Sequence, residues 1–194
     1  MREIAIGDRQ LLETKLGAPA ADVAPDFRPI NVFLNSPLLH TPHHKRTLQL
    51  AAEDDTLALG RALAPLLEPG MVVHLRGDLG AGKTTLARGI LRGLGYEDRV
   101  KSPTFTLLEP YKLSRLNLYH FDFYRFLDPR ELEESGFREY FNPESVCLVE
   151  WPEKAPDLPD ADLCIDMRAE AQGRTTIITA HTEVGRRCLD KLTD

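Results

Sequence analysis

No stretch of this 194-residue chain approaches the ~18 consecutive apolar residues that crossing a bilayer takes, and no charged-then-apolar leader opens it. Cysteine is scarce. Cys147, Cys164 and Cys188 are widely spaced with no C-x-x-C pair, which leaves neither a disulfide framework nor a zinc site. Excess basic charge is lacking too: the formal net charge is −6, which argues against this chain alone holding a nucleic acid backbone. It does not argue against membership of a complex that handles one. Together these absences predict a reducing, cytoplasmic setting. What remains, 42% hydrophobic and 28% charged residues, is the composition of a globular domain, and the length suits one α/β domain plus an appendage.

The most informative stretch is Met71 to Thr85, MVVHLRGDLGAGKTT. Val72 to Leu75 read as a short buried strand, a glycine-rich turn follows, and a helix begins near Gly82. Gly77, Gly82, Lys83 and Thr84 satisfy the G-x-x-x-x-G-K-[ST] spacing of a phosphate-binding loop. Glycines at 77, 80 and 82 let successive N–H groups turn inward around an anion, and the following helix adds its positive end. Lys83 supplies a mobile charge for the outer phosphates and is expected to face solvent. The Thr84 hydroxyl suits a Mg²⁺ ligand.

Residues 1–46 differ from the rest. Prolines fall at 19, 25, 29, 37 and 42 without a sustained apolar period, so beyond a short helix over Ile4–Leu16 they predict a largely disordered extension. His40, His43 and His44 stand there without cysteine or carboxylate neighbours, and a solvated tail is the better reading than a metal site.

The domain is expected to open with a strand over Arg46–Ala51. A helix capped by Asp54 or Asp55 then runs to about Leu67, with Pro65 in its last turn. The helix behind the phosphate loop stops at Gly95. Val100 to Leu108 reads as an extended loop entering a strand; its hydroxyls at 102, 104 and 106 lie where many NTPases place a nucleotide-sensing switch, but on spacing alone a plain strand is the better reading. Asn117–Phe126 alternates as a strand that puts His120, Asp122 and Tyr124 on one face. Asp122 among aromatics needs a partner, and Arg125 or His120 at a sheet edge is the plain one. Asp128-Pro129-Arg130-Glu131 starts a helix reaching roughly Tyr140, interrupted at Gly136. Val146–Val149 form a strand buried on both faces, ending on Glu150, where nucleotide-binding sheets reach Mg²⁺ or the attacking water. Alternation on both sides of Gly173 gives a hairpin, and a ragged helix follows from Gly185.

The motifs GDLGAGKTT (77–85), KSPTFTL (101–107), YHFDFYR (119–125) and LVEWPE (148–153), in that order, resemble the TsaE (YjeE) family. That family is the ATPase component of the bacterial machinery making threonylcarbamoyladenosine at position 37 of tRNA. The resemblance covers about residues 47–182, leaving 183–194 as a tail. It implies an α/β, P-loop NTPase fold: a mixed sheet with a parallel core and antiparallel additions, flanked by helices. It also implies that Gly80, Ala81, Gly82, Lys83, Thr84 and Thr85 hold the ATP phosphates. Thr84 and Glu150 would then ligate Mg²⁺, Asp122 would be the essential aspartate, and Trp151 would lie beside the nucleotide. Lys83, Asp122 and Glu150 become the catalytic candidates. The implied partners are TsaD, the carbamoyl-transferring subunit, and TsaB, with slow hydrolysis resetting the complex and tRNA met only through it.

Two other classes compete. A small-molecule P-loop kinase needs an arginine-bearing lid; Arg115, Arg125, Arg130 and Arg138 are available, but no lid-like insertion stands out. A nucleotide-gated binding module needs no hydrolysis at all. A GTPase is disfavoured, because no N-K-x-D or T-K-x-D tetrapeptide occurs.

Overall fold

The centre of the sheet is four parallel strands, most of whose residues are buried. The computed structural model describes residues 44–128 and 130–192. Strands β1 (Lys45–Leu50), β2 (Val72–Arg76), β3 (Leu108–Lys112), β4 (Asn117–Asp122), β5 (Ser145–Glu150), β6 (Leu163–Ala169) and β7 (Arg174–Ala180) form one sheet of order β1-β7-β6-β2-β5-β4-β3. β6, β2, β5 and β4 run parallel; β3 pairs antiparallel with β4, β7 with β6, and β1 with β7. Every residue of β5 is buried, as its unbroken apolar run requires. The expected mixed sheet with a parallel core is therefore borne out.

One face carries helices α1 (Glu53–Leu63), α2 (Lys83–Gly93) and α4 (Glu183–Lys191), packed over Val73, Leu75, Leu148, Ile165 and Ile178. The other, over β4 and β5, carries an aromatic layer. There Phe121 stacks on Phe141 at 5.1 Å and meets Phe137 edge-on at 5.6 Å. α1 and α2 cross almost backbone to backbone. A Cβ on Gly60 would lie 2.6 Å from the Leu86 carbonyl, and one on Gly89 2.6 Å from that of Leu57.

Several boundaries move from the expected ones. β1 starts at Lys45, inside the segment assigned above to the extension. Asp55 does not cap α1; it sits in the first turn and accepts from the N–H groups of Ala51 (2.8 Å) and Ala52 (3.0 Å). Pro65 turns the end of α1 into a 3₁₀ turn over Ala64–Leu66. Its carbonyls are taken up by the Arg115 guanidinium, which donates to Ala64 (2.9 Å), Pro65 (3.1 Å) and Leu67 (3.0 Å). β4 ends at Asp122 rather than Phe126, where Phe123 N–H crosses to the Glu150 carbonyl. The helix expected up to Tyr140 breaks at Gly136 (φ 71°) into α3 (Glu131–Glu134) and a 3₁₀ turn over Phe137–Tyr140. The hairpin stands as expected; the last helix is continuous and starts at Glu183 rather than ragged from Gly185, capped by Thr182, which accepts from Gly185 N–H.

Candidate functional site

The parallel register carries the site. Glu150 pairs in register with Leu75 on one side and Asp122 on the other, so both carboxylates reach the C-terminal edge where the phosphate loop leaves β2. In the loop Gly77, Gly80 and Gly82 have φ of 133°, 82° and 106°, conformations that side chains oppose. Gly82 stands at the N-cap of α2 with no capping side chain, so the helix's first N–H groups are left for an anion.

A cavity of about 220 Å³ is lined by Gly80, Gly82, Lys83, Thr84, Thr85, Asp122, Glu150 and Trp151, joined by Leu79, Thr104 and Tyr124. Of the residues expected around the phosphates, only Ala81 stands behind it. Ala81 is buried, and its N–H is spent on the Asp78 carbonyl at 3.1 Å. A larger cleft of about 520 Å³ lies elsewhere, between residues 152–161 and His74, Cys164 and His181; it contains no residue of the phosphate loop.

Lys83 is not solvent-facing as expected. It is 4% exposed, and its ammonium donates to the carbonyls of Gly77 (2.6 Å) and Asp78 (2.9 Å) while lying 4.1 Å from the centroid of the Trp151 ring. Burial lowers its pKa, opposed by the carboxylates of Glu150 and then Asp122. Glu150, 3% exposed, accepts at Oε1 from the Thr84 hydroxyl (2.8 Å) and bonds His120 Nε2 (2.9 Å). Asp122, also 3% exposed, accepts from the Thr104 hydroxyl at 2.6 Å and from Tyr124 N–H at 3.0 Å.

The plain partners expected for Asp122 are thereby corrected. His120 belongs to Glu150, Arg125 lies 4.3 Å over the Phe105 ring, and β4 is an internal strand. Residues 103–106 form turns and not the plain strand expected from spacing; Thr104 ties this loop to the Asp122 carboxylate, and the Ser102 hydroxyl is 2.8 Å behind it. Leu107 (φ 63°) and Trp151 (φ 58°) are the non-glycine residues with positive φ among the described ones. They end that loop and follow Glu150, so backbone strain concentrates at the site.

Arg174 escaped the sequence reading. From β7 it donates to the Ala81 carbonyl at 3.1 Å, and a Cβ on Gly82 would collide with its guanidinium. Of the arginines considered for a lid, Arg115 caps α1, Arg130 pairs with Asp128 and Arg138 lies near Glu133; none of the four lines the cavity. His40 and His43 lie outside the described residues, while His44 Nδ1 is 3.3 Å from Asp190.

The profile of the family described as "Threonylcarbamoyl adenosine biosynthesis protein TsaE" matches residues 50–177, spanning the loop, both carboxylates and Arg174. The chain belongs to the TsaE family. A TsaE of Haemophilus influenzae, named a tRNA threonylcarbamoyladenosine biosynthesis protein, is 44% identical over 146 residues, covering 72% of this chain and 92% of that one. One of Treponema pallidum is 41% identical over 127 residues, 65% of this chain and 93% of its own. The crystal structure of Bacillus subtilis YdiB superposes with a TM-score of 0.67 at 34% identity, covering 77% of this chain and 95% of that chain. The fold is thus that of a P-loop NTPase.

Proposed function

We propose that the chain binds ATP with Mg²⁺ at the phosphate loop and hydrolyses it slowly. In this reading it is the cytoplasmic, ATP-driven subunit of tRNA threonylcarbamoyladenosine formation and acts on TsaD and TsaB. The observation that carries the chemistry is the convergence of Lys83, Thr84, Asp122 and Glu150 on one cavity. Two buried carboxylates beside one buried ammonium make sense where a phosphate chain and a cation complete the charge balance. The donor set fits Mg²⁺. Its groups are hard oxygens, a hydroxyl and one or two carboxylates, and Mg²⁺ takes its other ligands from phosphates and water. Thr84 and Glu150 would hold the ion, which would supply positive charge against the phosphates.

The chain's own groups divide the remaining work. Glycine N–H groups and the start of α2 bind the phosphates, and Lys83 leaves its loop carbonyls for the β/γ oxygens. Asp122, held by Thr104 and Tyr124 N–H, orients the attacking water at the γ-phosphate. The Trp151 ring shields Lys83 and the phosphates from solvent on one side. Slow turnover without partners suits a cavity lined by no arginine.

Trp151, the single tryptophan, is a built-in probe beside Lys83. Titration of its fluorescence should show saturable ATP binding that Lys83→Ala abolishes. An unchanged affinity in that variant would remove the phosphate loop from the account.

A further inference from the structure

His120 has no exposed surface, and a single bond occupies its ring. Nε2 lies 2.9 Å from Glu150 Oε1, while Nδ1 is buried without a partner. A carboxylate oxygen only accepts, so Nε2 carries the proton. An imidazole buried with one nitrogen unpaired costs desolvation free energy that an apolar side chain of that volume avoids. Packing alone does not account for histidine here. Its neighbours on the same face of the sheet, Leu118 on β4 and Leu148 in register on β5, are both apolar members of the core.

The bond falls at a telling place. Glu150 ends β5, and its side chain is long and rotatable. The Thr84 hydroxyl, one of its two donors, belongs to the phosphate loop and can turn with that loop's chemistry. The imidazole is locked by the packed core and offers a donor that cannot follow such changes. Both donors meet on Oε1, and among the described residues none donates to Oε2.

We propose that His120 is a positioning residue that fixes the Glu150 carboxylate in the orientation that receives Mg²⁺ with ATP. This rests on the reading of Glu150 given under the proposed function. Metal-binding carboxylates are commonly oriented this way by an outer donor, whose loss costs about 10–100-fold in metal affinity. The alternative is a plain tie between β4 and β5. The two differ in what they do to nucleotides that need the ion and nucleotides that do not.

The test compares wild type, His120→Leu, His120→Gln, Glu150→Gln and the His120→Leu/Glu150→Gln double variant. For each, affinity is measured for ATP with Mg²⁺ and for ADP without it, beside the thermal midpoint. His120→Leu should weaken Mg²⁺-dependent ATP binding about tenfold or more, leave Mg²⁺-free ADP binding within about twofold, and keep the midpoint. His120→Gln, which returns an N–H near the position of Nε2, should recover most of the loss. In the double variant the two effects should not add, since both act through one carboxylate. Should the leucine variant fail to fold, His120→Asn replaces it: its shorter amide falls short of Glu150, and it should lose what the glutamine keeps.

If Glu150→Gln loses Mg²⁺-dependent affinity and His120→Leu does not, the positioning role is overturned and the reading of Glu150 stands. Equal weakening of both nucleotides with a lowered midpoint would show a structural tie and overturn it too. If Glu150→Gln itself binds as wild type does, the reading of Glu150 fails and the role of His120 falls with it.

Discussion

His74 shows at the scale of one side chain what burial does to a charge. Desolvation first, then the Arg76 and His181 charges, lower its pKa from 6.5 to about 4, with Asp160 pulling weakly the other way. Between those values the unfolded chain binds a proton that the folded one refuses. Its contribution to stability is therefore complete above pH 6.5 and drains away as pH falls towards 4, by about 3 kcal/mol over the window. His74→Leu should lose less of its melting temperature than wild type between about pH 7 and 4.5; equal losses would contradict the assignment. The other residues of consequence were unevenly visible in the sequence. Glu150 was legible because it ends an unbroken apolar strand, and Lys83 because of the loop spacing. The partner of His120 was not: along one strand Asp122 is its nearest carboxylate, and only parallel pairing brings Glu150 to it. Arg174 meets Ala81 across 93 residues, and no local pattern encodes that contact.

At the scale of elements, the crossing of α1 and α2 sets where the phosphate loop points. Gly89 is the interior residue on which that closeness depends, since its Cβ would sit 2.6 Å from the Leu57 carbonyl and 3.0 Å from Gly60 Cα. Alanine gains about 1 kcal/mol in helix propensity, but backbone cannot yield as a side chain does, and overpacking costs about 1–3 kcal/mol. Gly89→Ala should therefore lower the denaturation midpoint and weaken ATP binding together; a raised midpoint would refute the close crossing. Helices that announce themselves by period were legible, and their ends less so. Pro65 and Gly136 signalled interruptions, yet whether a turn tightens to 3₁₀ depends on tertiary partners such as Arg115 at the end of α1.

For the molecule as a whole, the order β1-β7-β6-β2-β5-β4-β3 could not be read from periodicity, which tells strand from helix but not neighbour from neighbour. The class of fold was legible chiefly through the resemblance of four motifs to the TsaE family, with which the βα unit at the phosphate loop and the hairpin about Gly173 agree. The start of the domain moved for a physical reason. Lys45 and Arg46 belong to β1, and the Arg46 guanidinium donates to the Leu192 carbonyl at the far end of the chain. Removing residues 1–43 should shift the melting temperature by no more than about 2 °C, whereas removing 1–46 should lower it by several degrees. A large loss on the shorter truncation would show that the first 43 residues stabilise the domain.

The central claim is that ATP is hydrolysed at the cavity shared by Lys83, Asp122 and Glu150. The most direct test is orthophosphate release from ATP labelled at the γ-position, with Mg²⁺ and protein in excess, so that even slow turnover is counted. Free orthophosphate should form in wild type and vanish in Lys83→Ala. In Asp122→Asn it should form ~10²-fold more slowly with ATP still bound, the scale of one positioned acid–base or electrostatic group. Label appearing in a phosphorylated small molecule, or Asp122→Asn keeping pace with wild type, would contradict the account.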